Sequence, residues 1–345
     1  MLDDIIRSVK KLKFQMIVNP CGEISLHIAG GYCCIGDINL ANLPKDQNKA
    51  LQAVCTQIQF LLNVNKMRFL YDFEVNRTNR IGVGLIGVHE FAWNQFGYTF
   101  QDLLDENKSR DFWNFIDWMR VVGEAYIEGL KDEFPEFNIP HTAFTIKPAG
   151  TTAKIMKVTE GWHLPAYEAM IRYVQYRKDD PRVPELIAQG YPFKDVSASI
   201  RDTVVVGYPT INDLCDSMAD IGIQPTCAGD VTMDQHFQWI SLGEKHWLGD
   251  RYDNQISYTA KFKHDTTYEQ YRRMMKNNMP NVKCCSVMPQ LPDNDIAYAY
   301  QPETKISIEE YHNLMKNINQ RLSEDYDEKS LECAGGACPI EQNLA

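Results

Sequence analysis

Nowhere does this chain carry an apolar run long enough to span a bilayer or to form the core of a signal peptide. Positive charge is in short supply too: 35 Lys and Arg stand against 46 Asp and Glu, a formal net charge of −11. Nucleic-acid surfaces want the opposite excess, so a DNA or RNA partner is not expected. Ten cysteines in 345 residues are too sparse for a secreted disulfide scaffold. They include no pair of C-x-x-C motifs, so neither a four-cysteine zinc site nor any other metal centre is expected. Internal repeats and low-complexity blocks are absent as well. Aromatics at 11% and charged residues at 23% describe an ordinary folded protein. The expectation is a soluble, cytoplasmic chain without a membrane partner, built as two domains or one large α/β unit. The first 14 residues, MLDDIIRSVKKLKF, read as a short amphipathic lead-in, and Asp3 and Asp4 argue against a transit peptide.

Against these absences, the segment Asn19-Pro20-Cys21-Gly22-Glu23 stands out. In an extended backbone, alternate side chains share a face, so an amide, a thiol and a carboxylate would line one small site. That set offers a sulfur nucleophile or radical, a base and a hydrogen-bonding orienter. The competing reading is a surface turn, because Asn-Pro and Cys-Gly are both turn chemistry.

Residues 14–40 read as an extended segment, a Gly30-Gly31 turn and a second apolar run, IGDINLANL. Helical spacing follows from about 48 to 74, carried by Leu51, Val54, Ile58, Leu61 and Leu62. Gly82, Gly84 and Gly87 fit G-x-G-x-x-G, but the polar FEVNRTNR before them is no strand, so close helix packing is the favoured role. A long amphipathic helix is expected over 106–133, then strand, glycine turn and helix start over 142–155. Beyond, strands at 203–207, 255–262 and 282–288 alternate with helices near 209–220, 231–246, 267–277 and 307–322. Such alternation marks an α/β protein with a largely parallel sheet.

Two further segments carry chemistry. Lys147-Pro148-Ala149-Gly150-Thr151-Thr152-Ala153-Lys154 lies where a strand gives way to a helix. Free backbone N–H groups there, with two hydroxyls beside them, suit an anion such as phosphate, although the pattern is not a Walker A loop. The alternative is a plain helix N-cap by Thr151 or Thr152. Near the C-terminus, Cys333 and Cys338 enclose Ala334-Gly335-Gly336-Ala337, small residues that let the pair close a disulfide. On a mobile tail such a pair suits thiol–disulfide exchange.

Taken together, these motifs resemble the C-terminal half of an adenosylcobalamin-dependent ribonucleotide reductase. Asn19-Pro20-Cys21-Gly22-Glu23 matches the family's radical site, and Gly31-Tyr32-Cys33 the second redox cysteine. Arg80-Ile81-Gly82-Val83-Gly84 matches a signature of its barrel. Pro148 to Lys154 matches the substrate-phosphate loop, and Glu160-Gly161-Trp162-His163-Leu164-Pro165 matches as well. The C-x₄-C of Cys333 and Cys338 matches the shuttle pair. The oxygen-dependent class uses adjacent tyrosines, and these 17 tyrosines include no Tyr-Tyr; the glycyl-radical class needs an Arg-Gly-Tyr context, also missing. The cobalamin class remains, which usually reduces triphosphates.

The resemblance implies a ten-stranded α/β barrel, with residues 15–325 as its C-terminal half, the Cys21 segment as a central finger loop, and 326–345 as a flexible redox tail. It implies homolysis of the cobalt–carbon bond of adenosylcobalamin, a thiyl on Cys21, and hydrogen abstraction from C3′ of a ribonucleoside triphosphate. Glu23 would be the base and Asn19 the substrate's amide partner. Cys33 would be one reducing thiol, with Cys34 ranked second because it points to the other face of a strand. Pro148, Ala149, Gly150, Thr151, Thr152 and Ala153 would bind the phosphates. Cys333 and Cys338 would reset the site and be restored by a thioredoxin-like reductant. The second active-site cysteine and the allosteric site would lie upstream, so a split enzyme with an N-terminal partner is expected. The alternatives are a non-catalytic relic or scaffold and a stand-alone thiol–disulfide protein.

Overall fold

The computed structural model describes residues 16–27, 32–67, 72–134, 138–290 and 300–318. The amphipathic lead-in, the Gly30-Gly31 turn and the tail with Cys333 and Cys338 lie outside the described residues. In chain order the strands are β1 (Met16–Val18), β2 (Ser25–His27), β3 (Ile35–Asn39), β4 (Gly82–Ile86), β5 (Phe144–Ile146), β6 (Ala169–Arg177), β7 (Phe193–Asp195), β8 (Thr203–Ile211), β9 (Asp253–Ile256), β10 (Thr259–Lys263), β11 (Ser286–Gln290) and β12 (Glu303–Ile306). The helices are α1 (Gln47–Asn65), α2 (Asp72–Thr78), α3 (Val88–Phe96), α4 (Phe100–Leu103), α5 (Arg110–Glu133), α6 (Gly150–Ile155), α7 (Arg182–Ala188), α8 (Asp213–Asp220), α9 (Met233–Gly243), α10 (Tyr268–Asn278) and α11 (Ile308–Asn317).

The site rests on a parallel sheet of order β3-β4-β5-β9. All five residues of β4 are buried, as expected of a parallel strand covered on both faces. Its outer face carries α1 and α5, which pack against each other. On α5, Phe112, Ile116, Met119, Gly123 and Ile127 recur at helical spacing and are buried. Each large side chain among them contributes about 1.5–3 kcal/mol by leaving water. Gly123 lets the helix sit close: a Cβ there would fall 2.9 Å from Phe144 Cζ and 3.0 Å from Val54 Cγ2.

Gly82 and Gly84 do something else. They are strand residues that clear the sheet's inner face, where a Cβ on Gly82 would come 2.7 Å from Thr145 Cγ2 and 3.4 Å from Ile24 Cδ1. The helix-packing expectation for this pair is corrected: their close neighbours are other strands and the β1–β2 hairpin. Gly87, at φ +67°, turns the chain from β4 into α3.

A second correction concerns the sheet. Residues 165–202, passed over in the sequence, supply β6 and β7 of a four-stranded antiparallel sheet ordered β12-β6-β8-β7. Antiparallel pairs therefore hold about as much of the described chain as parallel ones. The expected helix at 209–220 starts later, at Asp213, because residues 209–211 complete β8. Among the described residues no helix is long and apolar enough to cross a membrane.

Two buried histidines make stability depend on pH. His89 is packed beside Trp239 and Phe100, and burial holds its pKa down at about 3. His236 sits between the Tyr258 hydroxyl, 2.8 Å from Nδ1, and the Ala228 carbonyl, 3.1 Å from Nε2; burial lowers it to about 4. A carbonyl only accepts, so Nε2 carries the proton and Nδ1 accepts from Tyr258. In the unfolded chain both would titrate near 6.5. Between that value and about 4 the unfolded state binds more protons, so stability falls as pH falls, by about 1.4 kcal/mol per pH unit for each fully neutral histidine. Urea midpoints measured from pH 7 to 4 should show this slope, and His89→Phe should remove about one proton's worth of it. An unchanged slope would mean His89 takes up its proton in the folded state.

Candidate functional site

Asn19 to Glu23 form the tip of the hairpin made by β1 and β2, whose register pairs Val18 with Ser25. The tip is a tight turn and not an extended run: Gly22 N–H donates to the Asn19 carbonyl at 2.9 Å, and Gly22 has φ +82°. The alternation argument for a shared face is thus replaced by a different route to the same company. Asn19 and Glu23, four residues apart, are folded back onto each other while Cys21 stands exposed at the tip.

Asn19 organises the turn. Its Oδ1 accepts from Ile24 N–H at 3.0 Å, which orients Nδ2 the other way. Nδ2 donates to Glu23 Oε1 at 2.8 Å and lies 3.6 Å from Cys33 Sγ. Asn19 and Glu23 are 6% and 2% exposed. The second carboxylate oxygen, Glu23 Oε2, is buried without a partner among the described residues. An unpaired buried carboxylate oxygen is costly, so it is poised to accept a hydrogen bond from an incoming hydroxyl.

The tip is pinned to the sheet's inner face. Glu23 O accepts from Gln255 N at 3.0 Å, and Thr145 Oγ1 lies 3.0 Å from the same oxygen. Cys33, Ile35 and Asp37 alternate along the start of β3; Ile35 reaches the space above Gly82, and Asp37 that above Gly84. Cys34 points to the opposite side, buried, with its thiol 3.7 Å from the Leu61 carbonyl on α1. Of the adjacent thiols, Cys33 is therefore the one beside Asn19. Cys33 remains exposed overall, yet burial, followed by Glu23, Cys21 and Cys34, pushes its pKa up to about 12, with Lys147 opposing. Burial and Glu23 also raise Cys21, again against Lys147.

The other expected binding element begins at the end of β5. Ala149, in the left-handed region at φ +55°, turns the chain into α6, and Ala149 and Ala153 bury against Ile86 and Val158. Thr151 and Thr152 do not cap this helix; they lie inside its first turn, and the N-cap position is Ala149, without a side-chain bond. The N-cap alternative is therefore corrected, and Thr151 is exposed. Lys154 is engaged by Glu160 at 3.0 Å and Glu303 at 2.7 Å. Glu90, buried on α3, ties the far side of the loop by accepting from Thr159 N at 2.8 Å and Thr159 Oγ1 at 2.6 Å.

Two neighbours, Asp37 and Cys284, escaped the sequence reading, and Lys147 was read only as the first residue of the strand-to-helix segment. Lys147 Nζ pairs with Asp37 Oδ2 at 3.0 Å, and Cys284 Sγ lies 3.1 Å from where a Gly22 side chain would begin. The i, i+2, i+4 pattern Cys33-Ile35-Asp37 was the available signal for Asp37. Nothing in the sequence marked Cys284, which approaches from a distant segment.

An α/β half-barrel, with a hairpin finger on its inner face tipped by a thiol between an amide and a carboxylate, is the class defined by this build. The adenosylcobalamin-dependent ribonucleoside-triphosphate reductase of Lactobacillus acidophilus is 26% identical over 349 residues, covering 93% of this chain and 45% of that protein. The protein of the same name from Lacticaseibacillus paracasei is 26% identical over 357 residues, with the same coverage of each chain. A B12-dependent class II ribonucleotide reductase structure superposes with a TM-score of 0.68 at 20% identity, over 87% of this chain and 42% of that one. The class Id ribonucleotide reductase alpha subunit of Actinobacillus ureae gives 0.50 at 12% identity, over 83% of this chain and 55% of its own. No protein-family model matches. The resemblance to adenosylcobalamin-dependent ribonucleotide reductases thus extends over nearly the whole chain, and the fold is that of part of the class II enzyme. The chain spans less than half the length of the curated relatives it matches.

Proposed function

We propose that this chain is the radical-bearing half of an adenosylcobalamin-dependent ribonucleoside-triphosphate reductase, acting together with an N-terminal half. The observation that carries the reading is the joint geometry at Asn19: one amide spans Glu23 and Cys33 while Cys21 stays open at the tip. The chemistry that adenosylcobalamin supplies when bound is homolytic, at its cobalt–carbon bond. Cys21 fits that role because it stands exposed at the tip of the turn, between the buried Asn19 and Glu23.

As a thiyl, Cys21 takes hydrogen from C3′ of the ribose. Glu23 accepts the 3′-hydroxyl proton at Oε2, the oxygen that has no other partner. Asn19 keeps that carboxylate and Cys33 in register. Cys33 and a cysteine of the N-terminal half are oxidised to a disulfide as the 2′-hydroxyl leaves as water and hydrogen replaces it, and Cys21 returns hydrogen to C3′, which regenerates its thiyl. Cys333 and Cys338 then exchange with that disulfide, and a thioredoxin-like dithiol restores them. The turn from Pro148 to Ala153 receives the triphosphate through its uncapped backbone N–H groups.

The need for a second half is supported by the sheet. β3 pairs only with β4 and β9 only with β5 among the described residues, so both edges of the parallel sheet are open to further strands. Anaerobic reduction of CTP and CDP should be assayed with adenosylcobalamin and dithiothreitol, using this chain alone and mixed with the N-terminal half. Turnover in the mixture only, with CTP favoured, is the expected result. A stable mixed complex without turnover would instead make the chain a relic. In the active mixture Glu23→Gln should lower kcat by about 10²–10⁴-fold, the usual contribution of a positioned base, and leave assembly unchanged. A loss below tenfold would remove Glu23 from proton transfer.

A further inference from the structure

We propose that Glu160 competes with the substrate triphosphate for the phosphate turn: its carboxylate stands against Gly150 and holds Lys154, and an incoming phosphate displaces it and takes over the lysine. This deepens the reading of residues 148–153 as the phosphate turn and rests on it. An anion already occupies the flank of that turn. Glu160 Oε2 lies 3.3 Å, and its Cδ 3.8 Å, from where a Cβ on Gly150 would stand. From the same position Glu160 Oε1 reaches Lys154 Nζ at 3.0 Å. Gly150 and Lys154 are four residues apart on α6 and so share one face. The carboxylate spans that face from the first residue of the helix to the lysine one turn on.

The backbone around Glu160 is fixed, and its side chain is the part free to swing. Thr159 N and Oγ1 donate to the buried Glu90, and Thr159 O accepts from Gly87 N at 3.0 Å. Glu160 O accepts from His163 N at 2.8 Å, and Gly161 lies tight on the Lys147 carbonyl. The Glu160 side chain, by contrast, is 34% exposed.

Lys154 does not depend on Glu160 to stay paired. Glu303, from β12 at one end of the antiparallel sheet, binds the same Nζ at 2.7 Å. Lys147, at the other end of the turn, is taken up by Asp37 at 3.0 Å. Two carboxylates thus share the Lys154 ammonium, and one negative charge is left over beside the turn. That excess opposes a polyanion at residues 148–153 until a carboxylate withdraws. Glu160 is the one to leave, because it is the one lying on Gly150, while Glu303 keeps hold of the lysine. The empty turn is then divided between a form closed by Glu160 and an open form, and phosphate binds the open one. Its apparent affinity is reduced by the open fraction.

The test is calorimetric binding of CTP and of inorganic tripolyphosphate to the full chain, with cytidine as the uncharged control. Glu160→Gln should tighten both anions by about fivefold, the scale of one partly exposed ion pair, and leave cytidine unchanged. A side chain that merely braced α6 through Lys154 would give the opposite sign. The Lys154→Met background separates competition for the lysine from a general charge effect. There the same substitution should gain no more than about twofold, because no ammonium is released. Unfolding midpoints identify any variant that fails to fold, and the isosteric Glu160→Gln decides by its sign alone if Lys154→Met does. Unchanged or weaker anion binding in Glu160→Gln, or a full gain that persists without Lys154, would overturn the proposal and leave the phosphate turn standing. Absence of anion binding in both wild type and Glu160→Gln would overturn the two together. Tightened binding in Glu160→Gln, alongside a wild-type mixture that reduces no nucleotide, would support the competition and sink the reductase reading instead.

Discussion

Cys21→Ser should abolish nucleotide reduction in the reconstituted mixture, by about a thousandfold or more, while leaving the fold and the tail's disulfide exchange intact. The size of the loss follows from chemistry and not from packing. A serine O–H is too strong to yield its hydrogen as a thiol does, so no hydroxyl can replace the thiyl. The structural cost is small because Cys21 is exposed, whereas the bonds that build the turn belong to Asn19, Gly22, Glu23 and Ile24. Replacing sulfur by oxygen removes none of them. The mixture should therefore be assayed alongside its unfolding midpoint and the rate at which dithiothreitol-reduced Cys333 and Cys338 reduce a small disulfide. Residual turnover above a few per cent would place the radical elsewhere. Loss of turnover with a lowered midpoint would leave the thiol without a specific role.

How much of this was legible beforehand depended on whether the signal was local. The tip motif could be read because amide, thiol and carboxylate sit within five residues, yet the backbone behind it was misread. Proline and glycine in one pentapeptide favour a turn over alternation, and Gly22 at φ +82° settles it. Helices such as Arg110–Glu133 were visible through their apolar spacing. Strand Ala169–Arg177 was not, because most of its residues are only half-buried and its sequence, AMIRYVQYR, alternates weakly. Gly82 and Gly84 invited a phosphate or helix reading, but their function depends on what crosses them, the finger at Ile24 and the carboxylate of Asp37. The same is true of Lys147. Its ion-pair partner is an aspartate more than a hundred residues away, and only strand order brings the two together.

Gly161→Ala should destabilise the chain by about 3 kcal/mol, combining left-handed strain with overpacking, and Gly97→Ala by about 1. Both glycines have positive φ, +54° and +70°, so each substitution carries backbone strain. They differ in space. A Cβ at Gly97 meets nothing within 4 Å, whereas one at Gly161 collides with the Lys147 carbonyl oxygen and approaches Ile146 Cγ2 to 3.2 Å. Nor can the segment retreat. Next to Gly161, Trp162 Nε1 donates to the Trp239 carbonyl at 2.9 Å, and Trp239 Nε1 returns a bond to the Trp162 carbonyl at 2.7 Å. Their rings stack with centroids 4.4 Å apart. One residue on, His163 Nε2 accepts from Thr259 N at 3.1 Å. With that side clamped, strain passes to the side that can move, the turn beginning at Lys147 and Pro148. Urea midpoints of both variants measure the difference directly. Equal costs at the two glycines would mean that the Gly161 contact yields freely and that the turn after Ile146 is not braced from this side.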